Sequence, residues 1–382
     1  MMGPTIGLLG GGQLGQMLIL AGLPLGLRFV VWDPDPGSPA GRLSTRHFCK
    51  PYDSKETLEE FARNSDLVTY EFENIPYPLV AELEQKVSLP QSSSLLSICQ
   101  HRIREKQTLQ KLSIATAAFQ SVASAGALEE CLQQSQTPVL LKTCMGGYDG
   151  KGQRKVDKVA DAEAAFQDLR GDQRELIAEG WLPFEREISV LVARSTKGEI
   201  HCFPVVENVH EAGILASSLV PARISEDLNR KARSIATQIA QGLQLHGMLT
   251  IEMFVMPDGQ LLVNELAPRP HNSGHYTQDG TNVCQFEQHL RAICGWPLRE
   301  PKLHSPTVML NLLGEHIPAL QAWYVSLPAE AHLHWYGKAE ARPGRKMAHI
   351  NLCAASLDKA LEELEKWNLR SPPKRMFTLQ RP

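Results

Sequence analysis

The sequence predicts several domains of mixed α/β and α+β type, and three observations carry that prediction. The chain has 382 residues, and roughly 100–200 residues make a domain. Near its start an apolar strand runs through a glycine-rich turn into a helix. Near its middle two apolar, β-branched runs flank Pro257-Asp258-Gly259, which is a hairpin signature. Hydrophobic content of 43% with 21% charged residues is ordinary for a globular chain. A net charge of −3 gives no basic footprint for nucleic acid or an anionic membrane. No apolar run approaches the roughly 18 residues of a membrane span. The opening MMGPTIGLLGGG lacks the basic leader of a signal peptide. The eight cysteines are scattered without a C-x-x-C pair, a pattern expected of reduced thiols in a cytoplasmic enzyme rather than of disulfides or zinc.

Thr5–Leu9 reads as a strand and Gln16–Ala21 as helix. Between them Gly10, Gly12 and Gly15 satisfy G-x-G-x-x-G. Such a turn lets backbone N–H groups approach an anion. Arg28–Trp32 is a second strand, and it ends at Asp33, where a ribose-binding acid of a nicotinamide site would stand. A dehydrogenase is therefore one alternative. Against it, Asp33-Pro34-Asp35-Pro36-Gly37 turns sharply away, and many βαβ units use such glycines only for close packing. Leu67–Glu71 is a further strand that leads into Glu73 and Asn74, at the end where open α/β sheets bind ligands. Leu95–Leu112 reads as one helix carrying Arg102, Arg104 and Lys106.

The pattern shifts near Ser113. Pro138–Lys142 is an apolar run ending in a lysine, and four glycines in seven positions follow at 146–152. That density excludes helix and central strand. It suits a lid whose N–H groups and lysines cover phosphates, although the Walker A pattern is absent. Glu175–Ala178, Glu187–Arg194 and Ile200–Val206 read as strands. Ser225–Leu243 has helical apolar spacing at Leu228, Ala232, Ile235, Ile239 and Leu243.

In the hairpin, a four-residue loop Pro257–Gln260 sets Glu252 directly opposite Glu265. Opposed side chains lie roughly 4.5–5.5 Å apart at Cβ, and like charges there destabilise a sheet. A hard divalent cation answers that repulsion, because Mg²⁺ takes carboxylate oxygens together with phosphate and water. The bland alternative is a solvated hairpin with two edge glutamates. Arg269, His271, Asn272 and His275 follow at once, as a substrate pocket beside a metal-phosphate centre would require. The His271/His275 spacing could place zinc ligands on a helix, but Pro270 and Gly274 speak against a helix there. Asn282–Ile293 reads as helix. After Pro297–Pro301 come strands Thr307–Leu313, His332–Tyr336 and Met347–Leu352, then helix Leu357–Trp367. The loop 338–346 (KAEARPGRK) gathers cations around Pro343-Gly344, as a phosphate monoester site would.

Taken in order, GGGQLGQM (10–17), TYEFENIP (69–76), GGYDGKGQ (146–153), NELAPRPHNSGH (264–275), FEQHLRAI (286–293), HWYGK (334–338) and RPGRK (342–346) resemble the ATP-grasp ligases. Within that superfamily they are similar to the 5-(carboxyamino)imidazole ribonucleotide synthases of purine biosynthesis. The resemblance implies an ATP-grasp fold with a Rossmann-like, pre-ATP-grasp domain over 1–112, the ATP-grasp domain over 113–300, and a small β-rich domain over 301–382. It implies ATP and Mg²⁺ as cofactors, bicarbonate as co-substrate and a homodimer. ATP would meet Arg102, Lys142, the lid Gly147, Tyr148, Asp149, Gly150, Lys151, Gly152 and Gln153, and the hinge Glu179, Gly180, Trp181 and Leu182. Glu187 would take the ribose, and His210 and Asn264 would line the site, with Mg²⁺ on Glu252 and Glu265. The substrate 5-aminoimidazole ribonucleotide would meet Gln13, Leu14, Glu73, Tyr148, Lys151, Arg269, His271, Lys338 and Arg345. Asp149, Arg269, His271 and Tyr148 would serve catalysis, Asp149 as proton acceptor. Lys151 stands where some members carry arginine, so it keeps the charge without the bidentate fork. A formate-using relative, such as a glycinamide ribonucleotide transformylase, is the nearest alternative, but such relatives tend to carry Glu at the position of Gln13 and lack GYDG. A non-catalytic nucleotide-binding module would not need both glutamates and Lys142.

Overall fold

The computed structural model describes residues 3–135, 137–147, 150–318, 320 and 327–370. Tyr148 and Asp149 lie outside the described residues. The first sheet is parallel. It is built from β1 (Thr5–Leu9), β2 (Arg28–Trp32), β3 (Arg46–Phe48) and β4 (Leu67–Tyr70) in the order β3-β2-β1-β4. Its crossovers are α1 (Gln13–Gly22) and α2 (Lys55–Arg63), and α3 (Tyr77–Glu84) follows. Strand alternation gives the sheet two apolar faces, as a parallel sheet covered on both sides requires. Ile6, Leu8, Phe29 and Val31 pack under Leu14 and Leu18. Leu9, Val30 and Trp32 face Leu58, Phe61, Leu79 and Val80.

The glycine turn is already full. Gly11 N–H donates to Asp33 Oδ2 at 2.6 Å, and Gly12 and Gly15 N–H donate to the two Glu71 oxygens at 2.7 and 2.9 Å. These are the donors that a dinucleotide pyrophosphate would use. A Cβ on Gly12 would come within 2.7 Å of Glu71 Oε1, so the glycine there admits a carboxylate of the chain itself. Fluorescence titration with NADH is expected to show no saturable binding; a saturable signal would restore the dehydrogenase reading.

The helix expected over 95–112 is two helices, α4 (Ser93–Cys99) and α5 (Arg102–Lys111). His101 is extended (φ −133°, ψ 107°), and its Nδ1 accepts from Arg104 N–H at 3.4 Å as the N-cap of α5. Gln100 Nε2 is held by the carbonyls of Glu73 and Ile75 at 2.5 and 2.7 Å. The break makes Arg102 the first residue of α5.

A second, antiparallel sheet carries the lid. It comprises β5 (Phe119–Val122), β6 (Val139–Thr143), β7 (Gln153–Val156) and β8 (Leu176–Gly180), in the order β5-β8-β6-β7. Helices α6 (Ala125–Ser135) and α7 (Ala162–Asp168) close one face through Leu128, Leu132, Ala165 and Phe166.

The third sheet begins with β9 (Arg186–Arg194), β10 (Ile200–Cys202), β11 (Val206–Glu211) and β12 (Ile214–Val220). The strand expected over 200–206 is thus split: Pro204 has no N–H to give to a ladder. Helix α8 (Glu226–Gly242) starts at Ser225, whose side chain accepts from Leu228 N–H. It buries Ala232, Ala236, Ile239 and Ala240 against Ile188, Val190 and Val192. Next come β13 (Gly247–Val255), β14 (Leu261–Ala267), the short α9 (Thr277–Gly280) and α10 (Gln285–Ile293). The last elements are β15 (Thr307–Leu313), β16 (Ala331–Trp335), β17 (Lys346–Cys353) and α11 (Leu357–Arg370). The path is β14-β13-β9-β11-β12-β15-β17-β16, with β10 beside β9. The C-terminal strands therefore continue this sheet rather than forming one of their own.

Helix α10 packs back on the first sheet through Phe286, Leu290 and Ile293. His289 Nε2 lies 2.8 Å from Thr69 Oγ1, and Gln91 Nε2 donates to Pro268 O at 2.7 Å. These contacts fix the segment after β14 against the ends of the first sheet's strands. Among the described residues, no helix is long and apolar enough to cross a membrane.

Candidate active site

The hairpin turn is one residue shorter than the sequence suggested. Met256 N–H donates to Gln260 O at 2.9 Å, which leaves Pro257–Gly259 as the loop. Carried through unbroken, that register would have set Glu252 opposite Asn264. A bulge intervenes between Glu252 and Met253: Met253 pairs with Val263, while Glu252 pairs with Glu265. Asn264 is the extra residue. Bulges commonly re-aim side chains beside active sites, and this one returns the two glutamates to opposed positions.

Burial, together with the Glu265 charge opposite, pushes the Glu252 carboxyl up to about 8. Burial acts on Glu265 too, but Arg102 and Lys142 hold it below the ordinary carboxylate range. Arg102 Nη1 lies 3.3 Å from Glu265 Oε2. The pair is thus short of positive charge on the Glu252 side, which is the deficit that a divalent cation fills.

This has a consequence for pH. Without a cation, native Glu252 keeps its proton up to about pH 8, whereas an unfolded carboxyl loses it near ~4.3. Between those values the native state binds more protons, so stability falls as pH rises. Glu105, which burial also pushes up to about 8, adds the same slope. The buried, depressed histidines 271, 275 and 349 act oppositely near and below their unfolded pKa of ~6.5. In metal-free protein, Glu252→Gln is therefore expected to flatten the decline in Tm between about pH 6.5 and 8. Equal slopes in the two proteins would contradict this.

Two cavities meet at the pair. One, of about 300 Å³, is walled by Lys142, Glu187, His210, Glu252, Trp181 and Phe254. The other, of about 330 Å³, is walled by Gln13, Leu14, Glu73, Asn74, Arg269 and Gly147. They share Arg102, Glu265, His271, Asn272 and Lys346. Gly150, Lys151, Gln153 and Asn264 also face the first cavity. Its apolar wall is completed by Phe184, whose ring stacks on Phe254 at 4.4 Å. His210 Nδ1 lies 2.7 Å from Glu187 Oε2. Burial favours the neutral ring, yet Glu187, with Glu252 and Glu265 beyond it, raises the His210 pKa.

Other expected residues stand elsewhere. Glu179 does not face the cavity. Its carboxylate is buried on Lys142 Nζ at 2.9 Å and Lys106 Nζ at 3.4 Å. Lys142 is thereby aimed, although burial, the largest influence on it, lowers its pKa. Gly180 and Leu182 line neither cavity, while Gly180 N–H donates to Ala118 O and Trp181 N–H to Pro138 O. Gly152 also lines neither. Lys338 and Arg345 are likewise outside both: Lys338 Nζ donates to Lys346 O at 2.8 Å, and Arg345 Nη1 to Glu340 O at 3.1 Å. Tyr148 and Asp149 cannot be placed, lying outside the described residues.

On the far wall, Arg269 Nη2 pairs with Glu73 Oε2 at 2.8 Å. His271 Nδ1 accepts from Ser273 N–H at 3.3 Å, so its proton sits on Nε2, 3.5 Å from Glu252 Oε1. Burial, then Arg269, keeps this ring neutral. Asn264 Oδ1, Arg269 Nε and both polar atoms of the Asn272 side chain are buried without a hydrogen-bond partner. Native proteins rarely leave such groups unsatisfied; here they cluster around the junction, as they do where a polar ligand completes a site. The residues present therefore fit a metal–nucleotide group.

Sequence reasoning missed Lys346, Phe184, Phe254 and Leu215, and gave Asn272 no role of its own. The signal for Lys346 was the basic loop, but which of its cations turns inward depends on the start of β17. Asn272 lay inside a motif already singled out.

A glycine lid, opposed glutamates and a nucleotide-sized cleft between two antiparallel sheets define an ATP-grasp protein, and the ATP-grasp domain model matches residues 107–286. The ribonucleotide synthetase pre-ATP-grasp domain matches 2–100, and the phosphoribosylaminoimidazole carboxylase C-terminal domain matches 307–363. The Bacillus subtilis N5-carboxyaminoimidazole ribonucleotide synthase is 43% identical over 366 residues, 96% of each chain. A crystal structure of the ADP complex of an N5-carboxyaminoimidazole ribonucleotide synthetase superposes with a TM-score of 0.91 at 44% identity, covering 96% of each chain. The Aspergillus clavatus enzyme, in complex with ADP and 5-aminoimidazole ribonucleotide, has a TM-score of 0.88 at 30% identity, covering 95% of this chain and 97% of that one. The chain belongs to the N5-carboxyaminoimidazole ribonucleotide synthase family, whose members are ATP-dependent ligases.

Proposed function

We propose that the two cavities are the active site of a ligase that carboxylates the exocyclic amine of 5-aminoimidazole ribonucleotide, using ATP and bicarbonate. The observation that carries this reading is their shared wall of Arg102, Glu265, His271 and Lys346. A nucleotide in one cavity and a ribonucleotide in the other would meet across it.

Bicarbonate is a poor electrophile, so its oxygen must first take the γ-phosphoryl of ATP, releasing ADP. Glu252 and Glu265, with Asn264 beside them, would hold Mg²⁺, which supplies positive charge to the phosphate oxygens. Lys142, aimed by Glu179, and Arg102 add fixed donors for charge growing on the transferred group. Trp181, Phe184 and Phe254 offer the base an apolar slot, and Glu187 an acceptor for the ribose. The carboxyphosphate so formed breaks to CO₂ and phosphate. Keeping water out matters at that point, and Gly147–Gln153 would cover the site. Arg269, held by Glu73, and neutral His271 orient the bicarbonate-derived group. The amine then bonds to the CO₂ carbon and loses a proton, for which Asp149 is the acceptor implied by the family resemblance.

Gln13, Leu14 and Glu73 would contact the ribonucleotide, with Lys346 reaching its side of the junction and Lys338 supporting Lys346. The homodimer and a cytoplasmic location belong to the same proposal, the latter supported by eight cysteines free of disulfides. The division at 112 and 300 is proposed on the same footing.

The test is ADP release with ¹⁴C-bicarbonate. The ribonucleotide should be required for label to enter an acid-labile carbamate, in step with the ADP formed. Label incorporated without ATP consumption, or formate replacing bicarbonate, would overturn the reading.

A further inference from the structure

Behind the wall of the second cavity, which Cys144 lines together with Arg102 and Glu265, the fold assembles another group of metal-ligating side chains. His101, Cys144 and Glu175 are far apart in sequence, yet one ligand atom from each lies within 4.8 Å of the others. His101 caps α5, Cys144 follows the last residue of β6, and Glu175 precedes β8. His101 Nε2 is 2.8 Å from Glu175 Oε2. The backbone is tied at the same place: Arg102 N–H donates to Cys144 O at 3.0 Å and Cys144 N–H to Glu175 O at 2.8 Å. His101 and Cys144 are buried, while the Glu175 side chain is 57% exposed. The group is thus anchored at its base and open on one side.

We propose that His101, Cys144 and Glu175 form a binding site for a borderline-soft divalent cation of the Zn²⁺ class. Burial, then Glu175, pushes the Cys144 thiol up to about 12, so the ion would displace its proton to solvent on binding; the resulting thiolate, imidazole and carboxylate select such ions over Mg²⁺. Three protein ligands with one open position describe an exchangeable site rather than a closed structural one. The ion joins α5, which begins at Arg102, to two strands of the lid sheet. It therefore holds the root of the glycine lid against the helix that supplies Arg102 to the junction. The cysteines gave no zinc spacing in the sequence because the ligands come from three separate elements.

The probe is Co²⁺, titrated into the full chain in excess Mg²⁺ and followed by visible absorption. A saturable thiolate-to-cobalt charge-transfer band is expected, and Zn²⁺ should displace it. Cys144→Ser should abolish the band, and Cys99→Ser, at the last residue of α4, should keep it. Glu175→Gln lies at the surface and leaves the core untouched. It should weaken Co²⁺ binding about tenfold or more, since losing a ligand costs at least as much as losing a supporting contact. No band, a band that survives Cys144→Ser or vanishes in Cys99→Ser, or unchanged affinity in Glu175→Gln would each overturn the proposal.

Discussion

Replacing Glu265 by glutamine is expected to lower kcat for ADP formation by about 10²–10³-fold, the scale on which removal of one fixed transition-state contact is felt. The change is isosteric, and Leu266 N–H stays bonded to Glu105 Oε2 at 3.0 Å, so the bulge should persist. It removes the charge that, after burial, does most to push Glu252 up. It also takes a carboxylate partner from Arg102, so the melting temperature of the metal-free variant serves as the baseline for its ligand shift. What it should lose is the stabilisation by Mg²⁺ and ADP together, because a ligand stabilises only through its affinity for the native state. Near-native kcat in this variant would remove the glutamate pair from the chemistry.

The second large effect is expected at Lys346. It lines both cavities, where its charge would reach groups on either substrate under the proposed reading. Lys346→Ala is expected to lower kcat/KM for the ribonucleotide about 10²-fold, with a smaller rise in the KM for ATP. Lys338→Ala should be milder, raising the KM for the ribonucleotide a few-fold. Lys338 touches the site through a bond to the Lys346 carbonyl, which water can replace. The reverse order of severity would return the phosphate contact to Lys338.

These two residues show where the sequence was legible. Three strands of the first sheet, β1, β2 and β4, were readable because alternation and glycine placement are local signals, whereas the three-residue edge strand β3 was too short to leave one. β1 and β2 lie at the expected residues. The opposition of Glu252 and Glu265 was readable from hydrophobic pattern, but its route was not. A shorter turn and a compensating bulge reach the same pairing, and a bulge leaves no mark in apolar periodicity. The break at His101 was hidden for a similar reason: its cause is bonding by Gln100 to the segment after β4, a tertiary override of helix propensity. The fate of the glycine turn was equally non-local. Glu71 fills it from 56 residues away, and the turn's own motif cannot reveal that. Lys346, rather than Lys338 or Arg345, lines the cavities, and a cationic loop has no period from which to read its inward face.

The most direct test of the account is anomalous scattering from crystals grown with Mn²⁺ and ADP. Manganese takes the oxygen ligands that magnesium takes, and its signal locates the ion without interpretation. A peak bridging Glu252 and Glu265, with the nucleotide along Trp181 and Phe254, is predicted. A manganese peak elsewhere, with the two carboxylates left facing only water, would contradict it.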